Sequence, residues 1–281
     1  MHARPVGRRK AVAFAASTAL LLGAWNNLVV TRLPGYPASY VPGNVAATAL
    51  LLTVARAVGI TWQELGFDSR RLREGLRYGG LGSAVVAEGY TIGLTVPAIR
   101  PLLHDARVPG ADGGAIAYQV LIRIPLGTVL WEEVAFRGVL LAALLRVLPL
   151  RTAIGASAAI FGFWHIRPTL SATAANDLAD GLPGRTAAVL VGCVLTAVAG
   201  VLFTWLRTRS GGLLAPVLLH AATNCLGMLA AAAAHRLDRS TVGKGRASAT
   251  GMMPDEPSPA GVRGLLRRST CRGTGERFPE T

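Results

Sequence analysis

Leu130-Trp131-Glu132-Glu133-Val134-Ala135-Phe136-Arg137-Gly138-Val139-Leu140 sets two adjacent carboxylates and an arginine inside an otherwise apolar run. From Ala115 to Leu150 the only other charges are Arg123 and Arg146. A charge at bilayer depth is costly unless it is paired or faces a cavity, so an ionisable cluster in such a run marks a functional site. Glu133 and Arg137 lie four positions apart, on one helical face and within ion-pairing reach. Glu132 is rotated from Glu133 by about 100° and cannot share that face. The spacing therefore divides the roles: Arg137 neutralises Glu133 and locks the helix, while Glu132 faces a cavity. A carboxylate held there by a histidine can take a proton from water. The plainer alternative is a helix-end salt bridge at the membrane edge, against which the doubled acid in mid-run weighs.

Composition points the same way. The chain has 281 residues, of which 51% are hydrophobic and 16% charged, and its mean hydropathy is +0.42. Several windows of 18 to 22 residues carry no charge, as spanning helices do. The net charge of +14 is dominated by arginine. In a membrane protein this records positive-inside topology and anionic headgroups, so the expected partners include membrane lipids and exclude nucleic acid. Cys193, Cys225 and Cys271 are widely spaced and form no CxxC pair, which argues against a disulfide framework or zinc knuckle.

Taken in order, the basic residues Arg4, Arg8, Arg9 and Lys10 precede an apolar run from Ala11 to Val30, read as an uncleaved first helix. Val41 to Ala57 gives a short second helix, and Thr61 to Arg77 is basic and amphipathic, as a surface segment is. Gly79 to Ile99 forms a third helix with Glu88 inside it. Ile116 to Leu148 is too long for one straight span and predicts a kink at Pro125 or a break near the glutamates. Thr152 to Ile166, Ala187 to Leu206 and Leu213 to Ala234 follow, with a loop expected over Arg167 to Arg185. The expected fold is an all-α, polytopic transmembrane helical bundle of about seven to eight spans, multi-pass in the cell membrane. Its expected parts are residues 1–30 (basic segment and first helix), 31–234 (the bundle) and 235–281 (a polar, basic, disordered tail).

Two of the five histidines sit in apolar helices without a local acid. His165 closes Phe161-Gly162-Phe163-Trp164-His165, with Phe161 one turn earlier on its face. His220 and Asn224 are four apart on a later helix. The set offers a general base in Glu132, a water-orienting imidazole in His165, and two neutral donors in His220 and Asn224. Donors aimed at a developing oxyanion are what peptide hydrolysis requires. Glu132, His165 and His220 are also the types found in hydrolytic zinc sites, yet HExxH is absent. No cofactor is therefore required by the sequence, and a divalent metal such as zinc is chemically compatible with it. Glu88 and Phe161 are candidates to line the cavity.

These motifs resemble those of the CPBP family, the CAAX proteases and bacteriocin-processing enzymes also called Abi proteins. Glu132-Glu133-Val134-Ala135-Phe136-Arg137 resembles its EExxxR motif, residues 161–165 its FxxxH, and His220-Ala221-Ala222-Thr223-Asn224 its HxxxN, in family order. The resemblance covers roughly residues 60–230. It implies intramembrane endoproteolysis of a membrane-associated protein or peptide. Glu132 would activate water with His165, His220 and Asn224 would stabilise the oxyanion, and Glu133 and Arg137 would act as supports. The family is commonly labelled metalloprotease; the neutral Asn224 suits a metal-free glutamate mechanism better. The alternative is a non-catalytic scaffold, or a bacteriocin self-immunity or regulatory protein, built on the same bundle. Transport ranks last for want of an inverted repeat with paired broken helices.

Overall fold

The computed structural model describes residues 7–108 and 111–250, with side chains described to residue 239. Every regular element among the described residues is helical. Helix α1, Arg8–Ala24, runs on through a π-turn at Trp25–Val29 and a 3₁₀ turn at Val30–Arg32. Helix α2 is Tyr40–Ala57 and α3 the single turn Trp62–Leu65. Thr61 and Glu64 cap α3 reciprocally, and Gly66 ends it at φ 92°. A side chain at Gly66 would also collide with the Arg207 guanidinium, whose Nε lies 2.6 Å from an added Cβ. Helix α4, Leu72–Thr95, stops just short of Pro97 because the residue before a proline leaves the helical region.

The glutamates lie on a helical run that opens with α5, Gly113–Tyr118, where the Asp112 carboxylate accepts from the Ala115 amide at 2.7 Å. The run then widens into π-helix over Gln119–Leu130 and again over Glu133–Leu140, and closes as α6, Leu141–Leu145. It neither breaks at the glutamates nor stops at Pro125. Pro125 lacks an amide hydrogen, and the wider turns absorb that loss. Helices α7 (Leu150–Trp164), α8 (Ile166–Ala175), α9 (Gly181–Ser210) and α10 (Leu214–Thr250) complete the described chain. Helix α8 and the start of α9 together occupy most of the stretch expected as a loop. The polar tail expected from residue 235 begins within α10; its remainder, residues 251–281, lies outside the described residues, as do residues 1–6.

The expected count of spans is corrected by these helices. Among the described residues three helices, not seven or eight, are long and apolar enough to cross a membrane by length and composition: Arg8–Arg32, Gly181–Ser210 and Leu214–Arg239. The reason is that apolar runs in the sequence are divided or charged in the fold. Helix α7 has 15 residues, or about 22 Å at 1.5 Å per residue, against a hydrocarbon core of about 30 Å. The glutamate run is continuous but holds Arg123, Glu132, Glu133 and Arg137. Helix α4 carries Arg73, Glu74 and Arg77.

Residues Trp131 to Leu144 are buried without interruption. A helix buried all round is a core element, and here α1, α2, α3, α7 and α9 pack about it. Helix α9 meets it with Phe203 and leaves the opposite side apolar: Leu190, Val191, Val194, Leu195 and Val198 are each 58–63% exposed. An exposed apolar face of this extent belongs against lipid or protein.

Candidate active site

Three elements carry the polar side chains, and contacts join Glu132, Glu133, Arg137, Trp164, His165 and His220. The glutamate helix carries Glu132, Glu133 and Arg137, the C-terminal end of α7 carries Trp164 and His165, and α10 carries His220 and Asn224. Helices α7 and α9 approach so closely that a Cβ on Gly162 would stand 2.6 Å from the Cys193 carbonyl oxygen. That glycine lets the end of α7 reach the glutamates.

Glu133 and Arg137 are 0% and 1% exposed, and Arg137 Nη1 donates to Glu133 Oε1 at 3.1 Å. The same oxygen lies 2.8 Å from His220 Nδ1. The Arg137 guanidinium is sandwiched by aromatic rings, with Cζ 4.1 Å from the Phe161 centroid and 4.9 Å from that of Phe203. Those π-faces compensate the charge that one carboxylate oxygen leaves over. Phe203 also stacks on His220, with centroids 5.1 Å apart. Glu133, Arg137 and His220 thus form one buried polar cluster.

Glu132 is 4% exposed and differently surrounded. Its Oε1 accepts from the Trp164 indole at 3.1 Å. Its Oε2 is buried without a hydrogen-bond partner among the described residues, 4.0 Å from His165 Nε2 and 3.9 Å from His220 Nε2. His165 Nδ1 lies 2.8 Å from the Phe161 carbonyl oxygen. A carbonyl can only accept, so Nδ1 carries a proton and donates, and Nε2 is turned toward Glu132. The carboxylate of Glu133 likewise accepts from Nδ1 of His220. Separations near 4 Å between polar atoms suit a bridging water.

Asn224, one turn beyond His220, lines a cavity of about 640 Å³ together with Tyr90, His104, Gln119, Arg123 and Thr223. Phe161 meets the His165 ring edge-to-face at 4.6 Å. Glu88 is exposed on α4 and lies outside this set.

Residues the sequence did not single out complete the surroundings. Trp164 binds Glu132 directly, and Trp131 packs between Trp164 and Trp25 at centroid distances of 6.2 and 5.7 Å. Asn44 of α2 accepts from the Trp25 indole at 2.8 Å and donates to the Gly127 carbonyl at 2.7 Å, holding the π-helical backbone before the glutamates. The Tyr40 hydroxyl bonds Thr128 at 3.0 Å. Trp164 stands beside His165 in the sequence, and that adjacency was the available signal. Asn44 and Tyr40 offered only their polarity at a helix start.

Glu132, His165 and His220 are the residues that would hold a divalent metal, and their donor types fit one. Glu132 Oε2 stands 4.0 and 3.9 Å from the two Nε2 atoms, wider than the about 3.3 Å between ligand atoms around a tetrahedral zinc with bonds of about 2.0–2.1 Å. Among the described residues no three His, Cys, Asp or Glu side chains are grouped to hold an ion.

The helices and this site define a membrane-associated, all-α protein with a buried carboxylate–imidazole centre. Residues 115–226 match the family model described as Type II CAAX prenyl endopeptidase Rce1-like, so the chain is CAAX-protease-like over that stretch. The match takes in Glu132, Glu133, Arg137, Trp164, His165, His220 and Asn224, and leaves Trp25, Tyr40 and Asn44 outside. No curated protein and no solved structure matches the chain.

Proposed function

We propose that the protein is a multi-pass endopeptidase of the cell membrane that hydrolyses a peptide bond in a membrane-associated protein or peptide. The observation that carries this reading is the unpartnered, buried Glu132 Oε2 faced by the Nε2 atoms of two imidazoles. A water seated among the three donates to Glu132 and is oriented by His165. As Glu132 takes the proton, the water oxygen adds to the scissile carbonyl carbon. The Asn224 amide and His220 serve the developing oxyanion. Glu133 holds His220 by Nδ1, which keeps its Nε2 turned to the site. When the tetrahedral intermediate collapses, the C–N bond breaks and Glu132 passes its proton to the leaving amine. Trp164 fixes the Glu132 carboxylate, and Arg137 keeps Glu133 ionised in a dry setting.

Comparison of protein termini in membranes from wild-type and Glu132→Gln cells tests the reading. The expected result is a set of new termini that vanish in the variant, with purified Glu132→Gln slowed about 10²–10⁴-fold and folded as before. Cleavage by Glu132→Gln at the wild-type rate overturns the proposal. Activity that chelation abolishes and zinc restores would move Glu132, His165 and His220 to the role of metal ligands.

A further inference from the structure

Two amide side chains of the first helix have no part in the chemistry proposed above. Asn26 and Asn27 sit in the π-turn Trp25–Val29, at the end of an apolar helix. A polar group in such a place is costly unless it is hydrogen-bonded, and both are bonded to the same corner of the fold. Asn27 Nδ2 donates to the Phe163 carbonyl at 3.0 Å and to the Gly23 carbonyl at 3.0 Å. Asn27 Oδ1 accepts from the Arg167 amide at 3.0 Å. Asn26 Nδ2 donates to the Trp164 carbonyl at 3.2 Å. A reversed Asn27 amide would set its oxygen against two carbonyls, so the network requires this orientation.

These bonds enclose His165. A helix end leaves its last four carbonyls without partners from its own ladder, and in α7 these belong to Phe161, Gly162, Phe163 and Trp164. His165 takes the first two: its Nδ1 lies 2.8 Å from the Phe161 oxygen, and its amide donates to Gly162 at 3.0 Å. The asparagines of α1 take the other two. On the far side of the corner His165 is the N-cap of α8, yet its side chain makes no capping bond there. Asn27 accepts from the second amide of α8 in its stead, as a capping side chain does. With that end of α8 served from α1, the His165 ring folds back on α7 and turns Nε2 toward Glu132, 4.0 Å away.

We infer that Asn27 and Asn26 are positioning residues for His165: they fix the corner between α7 and α8 so that the imidazole faces Glu132. The placement rests on these hydrogen bonds, and its consequence for catalysis rests on the hydrolytic reading above. Both residues lie outside 115–226, the stretch that the family model matches. The first helix is thereby part of the frame of the site.

The test uses the full-length protein in detergent, isotopically labelled in the histidine ring nitrogens, with His165→Gln identifying the His165 signals. Asn27→Leu keeps the size of the side chain and removes all three of its bonds. The His165 Nδ1 proton, held on the Phe161 carbonyl in the wild type, should then exchange with water about tenfold faster. For the best-cleaved member of an N-alkylated peptide library, kcat should fall by up to about 10²-fold with KM nearly unchanged. Asn26→Ala removes a single bond and should give a smaller change of the same sign, which is read even where Asn27→Leu does not fold. Asn176→Leu is the control. It removes bonds of the same kinds at the other end of α8, where Asn176 donates to the Ala172 carbonyl at 3.0 Å and accepts from the Ala106 amide at 2.8 Å. It should leave the His165 proton undisturbed. An undisturbed proton in Asn27→Leu and Asn26→Ala overturns the assignment and leaves the hydrolytic reading standing. An equal change in Asn176→Leu also overturns it, since any loosening of α8 would then suffice. A proton disturbed only by the substitutions in α1, with no peptide cleaved by the wild type and no termini lost in Glu132→Gln membranes, supports the positioning and overturns hydrolysis.

Discussion

Glu132 and Glu133 are neighbours in the chain and both are almost wholly buried, but they are surrounded in opposite ways. Around Glu133 the fold gathers a guanidinium, a histidine and the aromatic rings that clamp them. Around Glu132 it supplies one indole donor, and the second oxygen, like that of Glu133 without a hydrogen-bond partner among the described residues, faces two ring nitrogens nearly 4 Å away. Two identical side chains thus meet different neighbours: Glu133 ties its own helix to α10 through His220, and Glu132 faces the place proposed for the water. A third acid, Asp105, shows the limit of this contrast: its pair with Arg107 lies at the surface, where water does most of the stabilising.

The contrast breaks most visibly at Arg137. Arg137→Met strands a buried carboxylate and is expected to cost about 3–5 kcal/mol in thermal unfolding of the purified protein. Glu132→Gln is expected to stay within about 1 kcal/mol of wild type. Equal losses for the two would show that the two glutamates are not differently employed. Gly162→Ala comes next, at about 2 kcal/mol of overpacking, since its Cβ meets backbone that cannot yield. It moves Trp164 and His165, which serve Glu132, so peptide turnover should fall well beyond what the stability loss explains.

Trp164→Phe keeps the aromatic packing and removes the donor to Glu132. A stability change of about 1 kcal/mol, with a drop in kcat rather than a rise in KM, is expected from unfolding and steady-state measurements. The smallest effect belongs to Arg107→Gln. Arg107's hydrogen bonds draw the Asp105 carboxyl from its ordinary 3.8 down to about 2. A depressed carboxyl contributes stability above its unfolded value and loses it as pH falls through the folded one. Wild type should therefore exceed the variant slightly at pH 6, by less than about 1 kcal/mol for so exposed a pair. The gap should close by about pH 2, which denaturant titrations at the two pH values would show.

The division between Glu132 and Glu133 was legible because it depends on local spacing: four residues bring Glu133 to Arg137, and one residue turns Glu132 aside. The ends of α4 and α9 were read less closely: the expected helices closed at Ile99 and Leu206, whereas α4 stops at Thr95, before Pro97, and α9 at Ser210, before Gly211. His220 bonding Glu133, 87 positions away, depends on how α10 meets the glutamate helix, and no local pattern encodes that meeting. Trp164 reads as core from its apolarity, and only the fold shows its N–H aimed at a carboxylate. The number of spans was misjudged because hydropathy sums over residues that the backbone separates. His165 ends α7 with a non-helical ψ of 7°, and α8 starts at once in a new direction.

The π-helical stretches around Pro125 and after Glu132 have a consequence for how the central helix is mapped. Each wide turn holds more residues than an α-turn, so the angular step per residue shrinks along Gln119–Leu130 and Glu133–Leu140. A wheel drawn at one fixed step from Gly113 to Leu145 accumulates that error and assigns the far end to the wrong side. Arg123 and Arg137 therefore keep separate compasses: each points where its own turn directs it, one to the open cavity and the other into the closed aromatic clamp.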